Sequence, residues 1–446
     1  MSRRTVAPGD RPGEAARRTH AGPRGRARRR AAALAAAAAL LPALLATTAC
    51  GGPAGASDGD GQLTVMTWAP SGTGSADRPG VTALAEEIAR EVNAKGGPAG
   101  HRLKVLTCNE HNSAAGVTDC AHQAIAAHAV AVIGSYSQYG DTFMPLLEEA
   151  GIPYLGGYGL SGSEFSSPLS YPVAGGTPTL IAGSGRQLAA AGCKAVALVR
   201  PDNGIGDTLT RYLSGAISPA GIKLADVKVA ENAASAAAVL PIAQKAVGDD
   251  RSGNCVTVAL GPEQTLLLLD AYRQLAPKRT QLASVIGSIQ QAVIDTTGGA
   301  KSPLNGSFAT GWYPPESSKV WDDLRSTAGN AAGAGGRPID TSDLAVQTTW
   351  VAYQTFLQAV DRISSAGQPL TAKGMRAQLD SGDSIDTGGV TPPLNWGQGD
   401  MLPSAESPRL TNTWVTFQQV KGGRLTEQQS GFVDVRWVLT GGKPPQ

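Results

Sequence analysis

The side chains best suited to metal or redox chemistry gather early in the chain: Cys108, His111, Cys120 and His122. Thiolates and imidazoles are zinc ligands, but the spacing C-x2-H-x8-C-x-H is not a familiar zinc pattern, and oxidation of the thiols competes with metal binding. His128 follows His122 by six residues and falls off its helical face. Nucleophilic catalysis finds no support, because Gly159-Leu160-Ser161-Gly162 lacks the spacing of a nucleophile elbow. Neither a phosphate loop nor a strand-linked dinucleotide fingerprint is present. The expected chemistry is reversible binding, with no catalytic residue, no metal and no cofactor. In an exported protein the even set Cys108, Cys120, Cys193 and Cys255 points to two disulfides among three possible pairings.

Export is written in the leader. Arg24 to Arg30 reads RGRARRR, an apolar run extends from Ala31 to Leu45, and small residues lead to Cys50. A positive segment, about 15 apolar residues and a small-residue cleavage site make a secretory signal, too short for a comfortable membrane span. Its end, Ala49-Cys50 followed by Gly51-Gly52, resembles the lipobox of bacterial lipoproteins, with Thr47 where that motif favours Leu. The resemblance implies that Cys50 is lipidated and becomes the mature N-terminus. Residues 1–49 are then the signal peptide and residues 50–61 the lipidated Cys with a Gly-rich flexible tether. The leader also holds most of the positive charge. Ten of the 38 basic residues and two of the 36 acids lie in the first 49, which leaves 28 basic against 34 acidic. A mildly acidic body has no electrostatic footprint for nucleic acid.

The elements that must position any site follow a regular rhythm. The 446 residues exceed what one core usually serves, so two lobes are expected. Apolar runs at 63–68, 103–107, 129–133 and 152–155 read as strands, separated by helical stretches at 81–95, 118–128 and 143–150. In the first of these helices Leu84, Ile88 and Val92 share one face. After a Gly/Pro seam from Pro172 to Pro178 the rhythm restarts. Helices are expected at 179–191, 207–217, 239–247 and 265–275, with strands at 195–200, 223–229, 256–260 and 282–286. A second seam at 308–315 leads to a strongly helical 342–365, and the tail carries strand-like pieces at 414–420 and 432–439. Repeated strand-helix units predict an α/β fold of two doubly wound parallel-sheet lobes.

Five segments carry a family resemblance. They are Ala69-Pro70-Ser71-Gly72, Ala131 to Ser135 (AVIGS) with Ser137, Glu148 to Tyr154 (EEAGIPY), Ala195 to Val199 with Asp202 to Gly206 (DNGIG), and Gly311 to Pro315 (GWYPP). In that order, over most of 63–439, they resemble the branched-chain amino-acid (Leu/Ile/Val) binding family of type I periplasmic binding proteins. The resemblance implies that the chain crosses between lobes about three times around a ligand cleft. Residues 62–174 and 310–379 then form lobe one, 175–309 lobe two, and 380–446 the return to lobe two with the tail. It also implies a monomer, anchored by lipid on the extracytoplasmic face of the cell membrane, that delivers a small-molecule solute to the permease subunits of an ABC importer. A ligand-sensing receptor of the same fold is the rival role. In a doubly wound order Cys193 and Cys255 start neighbouring strands and are expected to pair. Cys108 and Cys120 then close a short loop where the family often has a bridge.

Ligands of open α/β sheets bind beyond the carboxyl ends of the strands. In lobe one the resemblance places Trp68, Ser71, Ser135, Tyr136, Ser137, Gly157, Tyr158 and Gly159 there. The hydroxyls of Ser135 and Ser137 and the backbone N–H groups at 157–159 are expected to hold an α-carboxylate. In lobe two it places Asn203, Ile205, Gly261, Glu263 and Ser288 at the cleft. Here the chain departs from the family pattern. Ile205 and Leu260-Gly261 stand where aromatics pack, and Gly287-Ser288-Ile289 offers no acid for a ligand ammonium, with Glu263 the one substitute. The expected ligand is a small polar solute with an anionic or amide end and no free α-ammonium.

Overall fold

The structure, a computed structural model, describes residues 61–73, 77–230, 232–285, 288–404 and 406–445, without the side chains at 205 and 262. Cys50, the signal segment and most of the tether lie outside the described residues, as does Gly287. The first apolar runs fold as β1 (Gln62–Trp68), β2 (Arg102–Cys108), β3 (Val132–Ile133), β4 (Tyr154–Leu155) and β5 (Ser170–Tyr171). They form one all-parallel sheet in the order β2-β1-β3-β4-β5. Helices α1 (Pro79–Ala94), α2 (Ala114–Ala126), α3 (Gly140–Ala150) and the single turn α4 (Ser163–Ser166) connect them. Local chemistry sets the helix ends. Pro79 opens α1 with the fixed φ a first helical position favours, and Ser113 caps α2 by accepting from Gly116 N–H at 3.0 Å. β3 and β4 are shorter than their apolar runs because the chain turns away at Gly134 (φ 57°) and Gly156 (φ 66°). At both, a Cβ would strike Thr349 or Ala352 of a crossing helix.

The second sheet takes β6 (Ala195–Pro201), β7 (Lys223–Val229), β8 (Asn254–Val258), β9 (Gln281–Val285) and β10 (Phe308–Gly311). Its helices are α5 (Gly176–Ala190), α6 (Gly204–Ile217), α7 (Ala236–Val247), α8 (Pro262–Leu275) and α9 (Gln291–Thr296). The chain then returns to the first sheet as α10 (Asp322–Gly333), α11 (Leu344–Ser365) and α12 (Ala372–Leu379), with α11 packed on α1 and β3. It ends in the second sheet as β11 (Trp414–Lys421), β12 (Arg424–Glu427), β13 (Val433–Asp434) and α13 (Arg436–Leu439). The order is β12-β11-β10-β9-β8-β6-β7, with β13 on β11. Two expectations need correcting. The seam expected at 308–315 begins as strand β10, which is paired on both sides, with β9 and β11. The segment 432–439 is not a strand throughout: Asp434 accepts from Arg436 N–H at 2.8 Å and turns the chain into α13.

Both disulfides are closed, Cys108–Cys120 with Cα atoms 5.7 Å apart and Cys193–Cys255 with Cα atoms 6.0 Å apart. The second pair is possible because β6 and β8 are neighbours, with Val196 opposite Cys255. The first takes Cys108 and Cys120 out of the zinc-type set. Among the described residues no group of three or more His, Cys, Asp and Glu could hold a metal ion. No helix among them is long and apolar enough to cross a membrane.

Three crossings join the sheets, all at carboxyl ends. The first runs from the end of β5 into the start of α5. The second leaves the end of β10 toward α10 and α11. The third arrives at Trp414, the start of β11, which is antiparallel to β10 and therefore begins at its carboxyl end. The crossings are stitched to one another. Trp312 Nε1 donates to Gly176 O at 3.0 Å, Asn412 Nδ2 to Val173 O at 2.8 Å and Trp396 Nε1 to Pro172 O at 3.1 Å. Two sheets joined in this way turn their carboxyl ends toward each other.

Candidate ligand-binding cleft

The lobe-one loops at this junction are tied together more tightly than a row of free donors would be. Ser71 N–H donates to Asn109 Oδ1 at 3.0 Å, and Asn109 Nδ2 returns a bond to Ser71 O at 3.0 Å, so the loops after β1 and β2 lock. Ser135 Oγ accepts from Trp68 N–H at 3.1 Å, and Tyr136 N–H donates to Trp68 O at 3.0 Å. Ser137 Oγ donates to Glu110 Oε2 at 3.0 Å and accepts from Tyr139 N–H at 3.1 Å. Ser135 and Ser137 are both about 1% exposed. Their hydroxyls build the turn after β3.

Trp68 departs further from its expected place. It is fully buried in the core between the sheet and α3, 5.0 Å from the Phe143 ring and 6.1 Å from that of Tyr154. Alternation along β1 turns its side chain to that face, while only its backbone reaches the loops. Nor do Tyr158 and Gly159 hold free amides. Tyr158 N–H donates to Ser135 O at 3.2 Å and Gly159 N–H to Glu164 Oε2 at 3.1 Å. Leu160 N–H, Ser161 N–H and Ser161 Oγ all donate to Glu164 Oε1 at 3.0 Å. Of the amides expected to hold a ligand, that of Gly159 is taken by the protein's own carboxylate, which also gathers those of Leu160 and Ser161. Gly157 is required by packing, since a Cβ there would lie 2.1 Å from the Tyr154 ring.

Lobe two presents less. Asn203 caps α6 by accepting from Gly206 N–H at 2.8 Å, and Ile205 lies in the first turn of that helix. Ser288 is about 1% exposed and ties two loops, accepting from Leu260 N–H at 3.2 Å and donating to Leu260 O at 2.9 Å. Gly261 and Glu263 are exposed at the start of α8. Asp202, on the loop after β6, pairs with Lys228 Nζ at 2.8 Å. No buried acid stands on these described lobe-two loops.

Residues beyond the expected binding set complete the lobe-one face, Glu110 among them on the loop 109–110 that follows β2. Glu110 is fully buried. Its Oε1 has no partner, and burial pushes its carboxyl up to about 7 against the pull of Ser137 O–H and Asn112 N–H. His111 and Asn112 beside it both adopt left-handed backbone, φ 51° and 47°. Arg78, the residue before α1, lies over the Tyr136 ring with its guanidinium carbon 5.1 Å from the centroid. Tyr136 tilts against Tyr158 at 5.0 Å, and Tyr158 meets the edge of Trp312 at 5.2 Å on the second crossing. Asp343 caps α11 through Ala345 N–H at 2.8 Å, and burial raises its carboxyl despite Arg78 at 3.7 Å.

The sequence profile of the periplasmic binding protein family matches residues 65–423. No curated protein matches the chain in sequence. Among solved structures the chain is similar to a branched-chain amino acid ABC transporter protein from Thermus thermophilus with bound valine. Their TM-score is 0.69 at 14% identity, over 85% of this chain and 99% of the other. It is similar to a possible leucine/isoleucine/valine-binding protein from Rhodopirellula baltica SH 1, with a TM-score of 0.67 at 15% identity over 83% and 97%. It is also similar to a solute-binding protein of an ABC transporter from Rhodopseudomonas palustris BisB5 in complex with 3,4-dihydroxybenzoic acid. There the TM-score is 0.65 at 15% identity over 84% and 98%.

Proposed function

This chain belongs to the periplasmic binding protein family, and on that premise we propose that it is an extracytoplasmic solute-binding lipoprotein of an ABC importer. It captures a small solute with an anionic or amide end by closing its lobes and delivers it to the permease subunits. The observation that carries this reading is the meeting of both sheets at their carboxyl ends, with all three crossings on that side. Hinge closure there removes water from a ligand held by loops of both lobes. Binding rather than catalysis fits a junction whose buried hydroxyls, Ser135, Ser137 and Ser288, are all bonded within the protein.

The solved relatives hold an amino acid in one case and an aromatic acid in another, so the fold does not select the ligand and the residues must. A ligand ammonium needs a carboxylate, because burying it unpaired costs several kcal/mol. Among the described lobe-two loops Asp202 is paired with Lys228 and Glu263 is exposed, and in lobe one Glu110, Glu164 and Asp343 are each bonded within their own lobe. Calorimetric titration with leucine, isoleucine and valine is therefore expected to show no micromolar binding. In a thermal-shift panel, small acids or amides should raise the melting point. Micromolar leucine binding that vanishes in Glu263→Gln would overturn this ligand class.

Cys50, at the end of the signal, carries the lipid that holds the protein at the membrane. Mass spectrometry of the membrane fraction should find a lipidated N-terminal peptide beginning at Cys50. An unmodified Cys50, or cleavage elsewhere, would remove the anchor. The receptor role would displace delivery if the loaded protein bound a sensor protein in place of the permease.

A further inference from the structure

We infer that Arg78 is the anion contact of this cleft and receives the oxyanion end of a small carboxylate. The inference rests on the solute-capture reading and names the group that selects the solute. Several neutral donors nearby are committed: the amides of Gly159, Leu160 and Ser161 to Glu164, and the Ser137 hydroxyl to Glu110. Arg78 differs. Its side chain is 14% exposed, and its Nε is buried without a hydrogen-bond partner. Nη1 donates to Asp77 O at 2.7 Å. The carboxylate beside it, Asp343, stands 3.7 Å from Nε, beyond hydrogen-bond distance, with its Oδ1 taken by Ala345 N–H. A buried donor without an acceptor is costly. A carboxylate offers two acceptors in the geometry a guanidinium edge presents.

The surroundings place this group at the junction and hold it there. Arg78 N–H donates to Pro70 O at 2.8 Å, closing the loop after β1, and the Tyr136 ring beneath the guanidinium belongs to the loop after β3. Both loops lie at the carboxyl end of the first sheet. The aromatic row Tyr136, Tyr158 and Trp312 leads from the guanidinium to the second crossing. An acid with an apolar or aromatic body suits such a row better than a polyhydroxylated one. Charge and flatness together define the class: a small monocarboxylate without an amine.

The test compares acids with their amides on the purified full chain. Benzoate and 4-methylpentanoate are titrated calorimetrically beside benzamide, 4-methylpentanamide and leucine. At least one acid should bind, and bind at least tenfold tighter than its amide. Arg78→Gln should weaken that acid about 100-fold and erase its advantage over the amide. Arg78→Lys should keep part of the advantage, because it keeps the charge. Asp343→Asn, which retains a good helix cap, should not weaken acid binding. A role for Arg78 in folding alone would lower acid and amide affinity together and leave their ratio unchanged, and that result overturns the assignment. Amide or leucine binding without acid binding overturns it too, while leaving solute capture in place. Silence from the whole panel overturns both.

Discussion

Replacing Glu164 with alanine should destabilise the protein by about 4 kcal/mol, among the largest effects of any single polar substitution in lobe one. The carboxylate is about 1% exposed and accepts from three backbone N–H groups, those of Gly159, Leu160 and Ser161, and from the Ser161 hydroxyl. Each buried donor left unpaired costs roughly 1–3 kcal/mol, and partial relaxation with entry of water recovers some of the sum. The backbone cannot simply turn away. Gly159 has φ 79°, and a Cβ there would lie 2.6 Å from the Phe165 ring, so the turn is held both by its backbone conformation and by packing. The same geometry predicts a rescue. The cavity left by Glu164→Ala is an anion nest of convergent amides, so formate at tens of millimolar should raise the variant's melting point by more than it raises that of the wild type. Denaturant unfolding with and without formate measures both. A loss below 1 kcal/mol, or equal formate effects on both proteins, would show that the amides find partners without Glu164.

That carboxylate shows where sequence legibility ends. The strand-helix rhythm is readable because strands buried inside a parallel sheet are near-continuous apolar runs, as in 195–200 and β6 (Ala195–Pro201), while the edge strand β7 (Lys223–Val229, KLADVKV) shows alternation instead. The helix α10 was not readable, since DDLRSTAGNAAG mixes glycine and asparagine into a polar stretch with few core contacts. Strand-like alternation at 432–439 concealed a cap, because the turn depends on one Asp434 carboxylate rather than on hydrophobic period. At the site, the Gly/Ser loops were legible as turns, but the destination of each N–H was not. Ser161-Gly-Ser-Glu164 has the S-x-x-E spacing of a capping box, in which the acid reaches back to the serine amide, and that signal identifies Glu164 as the occupant of the nest. Arg78 has only a faint signal, as the sole basic residue between β1 and α1, because its meaning comes from a ring 58 positions away.

Glu110 should make the protein less stable as pH rises through neutrality, and Glu110→Gln should remove that dependence. The side chain is fully buried with one carboxyl oxygen unpartnered, and burial lifts its pKa from an ordinary 4.5 to about 7. The folded protein therefore holds a proton that the unfolded chain gives up above pH 4.5. Stability from this group is fully present below about pH 4.5 and is lost as pH rises through about 7. A shift of that size corresponds to roughly 3 kcal/mol. Glutamine keeps an oxygen to accept the Ser137 hydroxyl and carries no charge, so Glu110→Gln should match the wild type near pH 4.5 and exceed it by about 3 kcal/mol at pH 8. Unfolding free energies of both proteins from pH 4.5 to 8 test this directly, because every other titrating group is common to the two and cancels in the difference. Parallel profiles would mean that the carboxylate is solvated or paired in solution. A difference that grows with pH would mark Glu110 as a buried acid that folds more readily in its neutral form.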